Sequence, residues 1–264
     1  MFKKTLFFCC CLVSFQLLAQ TKVSSSVQLV TIENQYVALS FNLRNGDYSV
    51  RNIPKNFTAV THAYFQAEGL YSTDTLGTIE WSRKEVRDYM GKGLAIQIRK
   101  KFEKYSDVVW NATLYDDKDY LVFNMGIVND SKIPFRLSAF YPLKTRNACK
   151  GMNINLNYAV LNGNSGGNKT YVSDTTQVCC FNNVLVRFGD LKSPHIIVAG
   201  GFTYNEFEKF CKVSRYKDSL GIQLFSEDPV GKLVDPGTSY ENSERFYFCI
   251  NNSNPFEADR KSVV

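Results

Sequence analysis

Apolar side chains recur at every second position through most of this chain, and few backbone conformations satisfy that pattern. Val37, Leu39, Phe41 and Leu43 alternate with Ala38, Ser40 and Asn42, and Leu94, Ile96 and Ile98 alternate with Ala95, Gln97 and Arg99. The same period runs through Val108, Trp110, Ala112 and Leu114, through Leu121, Phe123, Met125 and Ile127, and through Phe135, Leu137, Ala139 and Tyr141. Successive strand residues point to opposite faces, so period two marks a strand with one face buried and one in water. Antiparallel sheets are built from such strands. Turn chemistry separates them: Asn45-Gly46 predicts a tight hairpin, and Asp116-Asp117-Lys118-Asp119 and Asn129-Asp130-Ser131 predict further reversals. Val184 to Phe188 and Ile196 to Ala199 add two strands, while Thr203 to Phe210 reads as a strand or a short helical turn. With 14% aromatic residues and almost no helical period, the expectation is all-β. It is a large antiparallel β-sandwich, a supersandwich with little helix, spanning residues 21–253.

The two ends read differently. Lys3 and Lys4 precede an apolar run from Leu6 to Leu18, and Ala19-Gln20 leads into the polar Thr21-Lys22-Val23-Ser24. That layout predicts a signal peptide over 1–20 and a periplasmic or secreted protein. No later run approaches about 18 apolar residues, so no membrane span is expected after cleavage. Two of the lysines behind the net charge of +6 lie in the signal peptide. The remaining excess is mild and calls for no nucleic acid. Arg99-Lys100-Lys101 reads as a solvated strand face. Cys149, Cys179, Cys180, Cys211 and Cys249 remain, an odd number without a CxxC pair, and predict buried thiols with at most one bridge. At the other end, Asn254 and Pro255 suit a helix cap and first turn, so 254–264 reads as the start of a helix or a linker.

Signals for chemistry are sparse. The loop from Asn162 to Thr170 has Asn168 where a phosphate-binding loop needs glycine before its lysine. His62 and His195 are far apart, no G-x-S-x-G elbow supports a triad, and Asp116, Asp117 and Asp119 fit a turn better than a calcium loop. No metal, cofactor or catalytic residue is assigned. The candidates are carbohydrate contacts. Trp81 sits among polar neighbours, where it either stacks on a sugar ring or packs half-buried, whereas Trp110 is expected in the core. Asp228 and Lys232 are the expected hydrogen-bonding partners of sugar hydroxyls, and Asp74 is grouped with Trp81, seven residues on. The bland alternatives are a turn-initiating carboxylate before Pro229, a solvated lysine and an ordinary loop residue.

Several segments carry a resemblance. They are Tyr120 to Leu143 with its Tyr141-Pro142-Leu143, Val160 to Ser165, Gly200 to Phe207, and Asn254-Pro255-Phe256-Glu257-Ala258. Together they resemble the N-terminal β-sandwich of the α-galactosidase (melibiase) and raffinose-synthase-like glycoside hydrolases. In that class the sandwich precedes a (β/α)8 barrel that holds both catalytic aspartates. The resemblance therefore implies a sandwich without the barrel and without the carboxylate pair, about 5–5.5 Å apart, that retaining glycosidases use. The expected partners are an oligosaccharide or galactoside and a catalytic barrel. Three roles stay open: a truncated gene product, a carbohydrate-binding module, and a scaffold for a separately encoded barrel.

Overall fold

The computed structural model describes residues 20–152, 159–164, 167–172, 177–181, 183–189, 194–203 and 205–250. The expected signal peptide up to residue 19, the expected helix start or linker at 254–264 and residues 165–166 of the glycine-rich loop lie outside them. Among the described residues there are strands and no helix. In chain order they are β1 (Lys22–Ser25), β2 (Leu29–Glu33), β3 (Val37–Asn42), β4 (Tyr48–Asn52), β5 (Phe57–Ala67), β6 (Leu70–Tyr71) and β7 (Thr78–Asp88). There follow β8 (Gly91–Lys101), β9 (Asp107–Tyr115), β10 (Tyr120–Asn129), β11 (Phe135–Ala148), β12 (Ala159–Asn164), β13 (Gly167–Val172) and β14 (Gln177–Phe181). The last are β15 (Asn183–Gly189), β16 (Pro194–Gly201), β17 (Glu208–Arg215), β18 (Leu220–Val234), β19 (Thr238–Glu241) and β20 (Phe246–Cys249).

They form two antiparallel sheets. The first runs β1-β2-β3-β4-β5-β11-β18-β17-β14, with β6 on β5; the second runs β13-β12-β15-β16-β20-β10-β9-β8-β7, with β19 on β10. The apolar half of each alternation fills the space between the sheets, and Phe41, Tyr48, Phe65, Trp110, Phe123, Phe140 and Phe248 are almost wholly inaccessible. The two layers are also joined by hydrogen bonds. Register shifts in β11 bracket Pro142, between Phe140 and Leu143 against β18 and between Tyr141 and Lys144 against β5. Both Tyr48 Oη, at 2.7 Å, and Trp110 Nε1, at 3.0 Å, donate to the Pro142 carbonyl. Trp110 comes from the second sheet and the other two from the first.

Several details differ from the sequence expectation. Asn45-Gly46 does not close a two-residue hairpin. The loop between β3 and β4 starts at Leu43, and the Asn42 side chain accepts from the Arg44 and Asn45 amides. Gly46 is nonetheless required: its φ is +73°, and a Cβ there would lie 1.8 Å from the Ser72 carbonyl oxygen. Residues 205–207 are loop, and the strand starts at Glu208. Lys100 is not on a solvated face. It is buried, its Nζ donates to the Asp74 carbonyl at 2.7 Å, and burial lowers its pKa. Its neighbours do behave as surface charges, Arg99 meeting Asp107 and Asp130 and Lys101 meeting Glu80. Cys149, Cys211 and Cys249 are buried, and burial pushes the Cys149 thiol up. His195 packs between Phe57 and Phe188, 4.5 and 5.4 Å between ring centres, where burial lowers its pKa.

Candidate functional site

The outward half of the alternation in the second sheet builds a groove. Registers align Ser82 with Gln97, Gln97 with Asn111, and Asn111 with Asn124, so one row of short polar side chains crosses β7, β8, β9 and β10. The next row is Lys84, Ala95, Thr113 and Val122. Their chain neighbours Ile96, Ile98, Trp110, Ala112 and Phe123 point the other way into the core. Strand β19 adds a wall: Gly126 pairs with Glu241, and a Cβ on Gly126 would sit 2.8 Å from the Tyr240 carbonyl oxygen. That close approach brings Glu241 within 3.0 Å of Asn124 Nδ2.

The row is internally bonded. Gln97 Nε2 donates to Asn111 Oδ1 at 3.0 Å. At one end Tyr115 Oη donates to Asp88 Oδ2 at 2.8 Å, and the Arg245 guanidinium lies 3.3 Å from the same oxygen. Burial and the Asp88 carboxylate both push the Tyr115 phenol up. The cavity has a volume of about 410 Å3. A second basin of about 210 Å3 adjoins it and shares Gln97, Asn111 and Glu241. Lys84, Arg87 and Arg245 balance Glu85, Asp88 and Glu241 in the larger basin, which carries no net charge.

A second polar constellation lies next to β19. The side chains of Lys209 and Glu244 are fully buried and form an ion pair. Glu244 Oε1 accepts from the amides of Asn205 and Glu206, each at 2.6 Å, and of Phe207 at 3.2 Å. Burial works against the Glu244 carboxylate, yet the Lys209 ammonium and those amides outweigh it and hold it below the usual range. Nearby, Glu206 accepts from the Tyr240 hydroxyl and from Lys232 Nζ, and both lower its pKa.

The four residues expected from sequence are not gathered into one place. Of them, Asp74 lines a concavity, the apolar one bordered by Leu70, Leu76, Phe102 and Phe135. Asp74 Oδ2 accepts from the Tyr71 amide at 3.0 Å. Trp81 pairs with Ile98 and is half-buried against the core, while its neighbours Ser82 and Lys84 line the groove. Asp228 Oδ1 accepts from the Val230 amide at 3.0 Å. Lys232 is 2.9 Å from Glu206 and 4.2 Å from the Tyr240 ring centre. The groove residues were missed because each is merely the polar partner of an apolar neighbour. Only the strand register shows that they converge.

No protein-family profile matches the sequence, and no curated protein matches it. Solved structures do. The GH36 α-galactosidase AgaB from Geobacillus stearothermophilus superposes on 87% of this chain with a TM-score of 0.59 at 9% identity. The fold is that of part of a GH36 α-galactosidase. The galactosidase domain of an α-galactosidase–sucrose kinase gives 0.61 over 87% at 6% identity. The α-N-acetylgalactosaminidase of Bifidobacterium bifidum gives 0.53 over 91% at 8% identity. The chain spans about two fifths of these α-galactosidase chains, 41% and 42% of their lengths.

Proposed function

We propose that this protein is an exported, non-catalytic β-sandwich of the glycoside-hydrolase type that works beside a glycosidase barrel. The observation that carries the reading is the overlay itself: nearly the whole chain matches, yet it accounts for only about two fifths of an α-galactosidase. Side-chain chemistry supports it. A glycosidase needs one carboxylate free to attack and a second free to carry a proton. Of the three groove carboxylates, Asp88 already accepts from Tyr115 and faces Arg245 and Glu241 already accepts from Asn124, which leaves Glu85 without a second to make the pair. The apolar end of the sandwich supports a docking role. Leu76 and Tyr105 are exposed there and line a concavity of about 580 Å3, and exposed Ile133 lines an adjoining one that shares Tyr105. Large exposed apolar patches mark contact surfaces.

The test is turnover by the purified chain. Incubated with p-nitrophenyl α-galactoside, it is expected to release no more phenolate than a buffer blank. Release well above the blank that disappears in Glu85→Gln, Asp88→Asn or Glu241→Gln would overturn the non-catalytic reading.

A further inference from the structure

We propose that the groove across β7, β8, β9 and β10 is a binding site for a neutral oligosaccharide of at least two rings. Its side chains carry the inference independently of the reading above. An antiparallel sheet commonly presents a polar face to water, so polarity alone would mean little. Three features set this face apart. First, the polar side chains at its centre are amides and a hydroxyl, Gln97, Asn111, Asn124 and Thr113, set beside Ala95 and Val122, with charged groups on the edge strand β7 and at the ends. An amide both donates and accepts, as a sugar hydroxyl does, whereas lysine only donates and a carboxylate only accepts. Secondly, positive and negative side chains balance in the main basin, and Arg99 of the second basin is already paired with Asp107 and Asp130, so the site offers little net attraction to an anion or a cation. Thirdly, the space is large enough. The main basin of about 410 Å3 falls in the roughly 300–1,000 Å3 range of small-molecule sites. The second basin, about 210 Å3, extends it past the shared Gln97, Asn111 and Glu241. Two connected basins suit linked rings better than a single one.

The arrangement also sets the strength. Tyr115 lines the main basin but is almost wholly buried, and the Tyr240 ring of the second basin is covered by Lys232. Neither ring presents a free face for stacking, so binding rests on hydrogen bonds and is weak.

Calorimetric titration of the full chain with raffinose, maltotriose and cellotriose, and with trigalacturonate as an anionic counterpart, tests this. Saturable binding of at least one neutral trisaccharide in the millimolar range is expected, with none of trigalacturonate. The double variant Gln97→Ala/Asn124→Ala removes two outward-facing amides and is expected to weaken that binding about tenfold, as loss of roughly 1.4 kcal/mol does. Its thermal unfolding serves as the check that the fold is intact. Three results would each overturn the proposal: no saturable binding of any neutral trisaccharide, binding unchanged in the folded double variant, or preference for the uronate. Turnover plays no part in the readout, so failure here is distinct from failure of the companion-domain reading.

Discussion

Replacing Glu244 with alanine is expected to destabilise the protein by about 3–5 kcal/mol, measured by urea unfolding followed by circular dichroism. The magnitude follows from what the carboxylate holds. Lys209 has a fully buried side chain, and without Glu244 its ammonium would lose this carboxylate inside the protein. Breaking one side of a buried pair costs far more than the pair itself contributes, because the remaining charge stays desolvated. The amides of Asn205, Glu206 and Phe207 would lose their acceptor as well. Folded domains have only about 5–15 kcal/mol in hand, so this is a large share. Lys209→Met is expected to cost a similar amount. The double variant should lose less than the two single losses added together, since removing both charges leaves none unpaired. A loss below about 1 kcal/mol in Glu244→Ala would show that the pair contributes no more than an ordinary hydrogen bond.

The same residue sets a pH dependence. The folded-state pKa of Glu244 is depressed below its unfolded value. Between those two values the unfolded chain binds more protons than the folded one, so stability rises with pH across that window. The contribution is complete above the unfolded carboxylate pKa and is lost as pH falls through the folded one. Acid unfolding curves of the wild type and Glu244→Ala are therefore expected to converge at low pH and separate above the usual carboxylate range.

Wherever one face of a strand meets the core and the other meets water, the sequence reads plainly. Val37 to Asn42 and Leu121 to Ile127 carry a large apolar residue at every second position, and they form β3 and most of β10, although Ala38 and Val122 on the other faces are buried as well. Strand β7 is harder to read. It is an edge strand whose residues 82–85 are all exposed, so its pattern carries no buried half to reveal. Strand β11 is longer than its alternation suggests, because register shifts reset the pleat within it. Sites suffer most. Glu241 and Gln97 face the same groove across more than a hundred residues of sequence, and only the order β19-β10-β9-β8 connects them. Glu244 gives no sequence signal either, since a carboxylate two residues before an aromatic strand looks like any turn residue. Trp81 and Trp110 are a useful contrast. Both sit at alternating positions, but β9 is central and β7 lies at the edge, so one ring is sealed and the other half-covered.

Trp110→Ala is expected to destabilise the fold by about 3–5 kcal/mol, with roughly 1–2 kcal/mol for Trp110→Phe, read from the same denaturant midpoints. The indole is inaccessible and lies 4.9 Å from Tyr48, 5.5 Å from Phe65 and 5.5 Å from Phe123 between ring centres. Alanine would leave a cavity walled by these rings and by Phe41, 5.8 Å away, which cannot collapse together because each is fixed in its own strand. Phenylalanine would keep most of the contact and lose only the bond to the Pro142 carbonyl. That oxygen would still accept from Tyr48, so it would not be orphaned. Tyr48→Phe is milder for the same reason, and the double variant Tyr48→Phe/Trp110→Phe should cost more than the two single changes added together. Only the double change leaves the Pro142 oxygen buried without a donor, and an unsatisfied buried acceptor costs about 1–3 kcal/mol. Strict additivity would mean that the carbonyl finds another donor, and the bond between the two sheets would then be incidental to the packing of the rings.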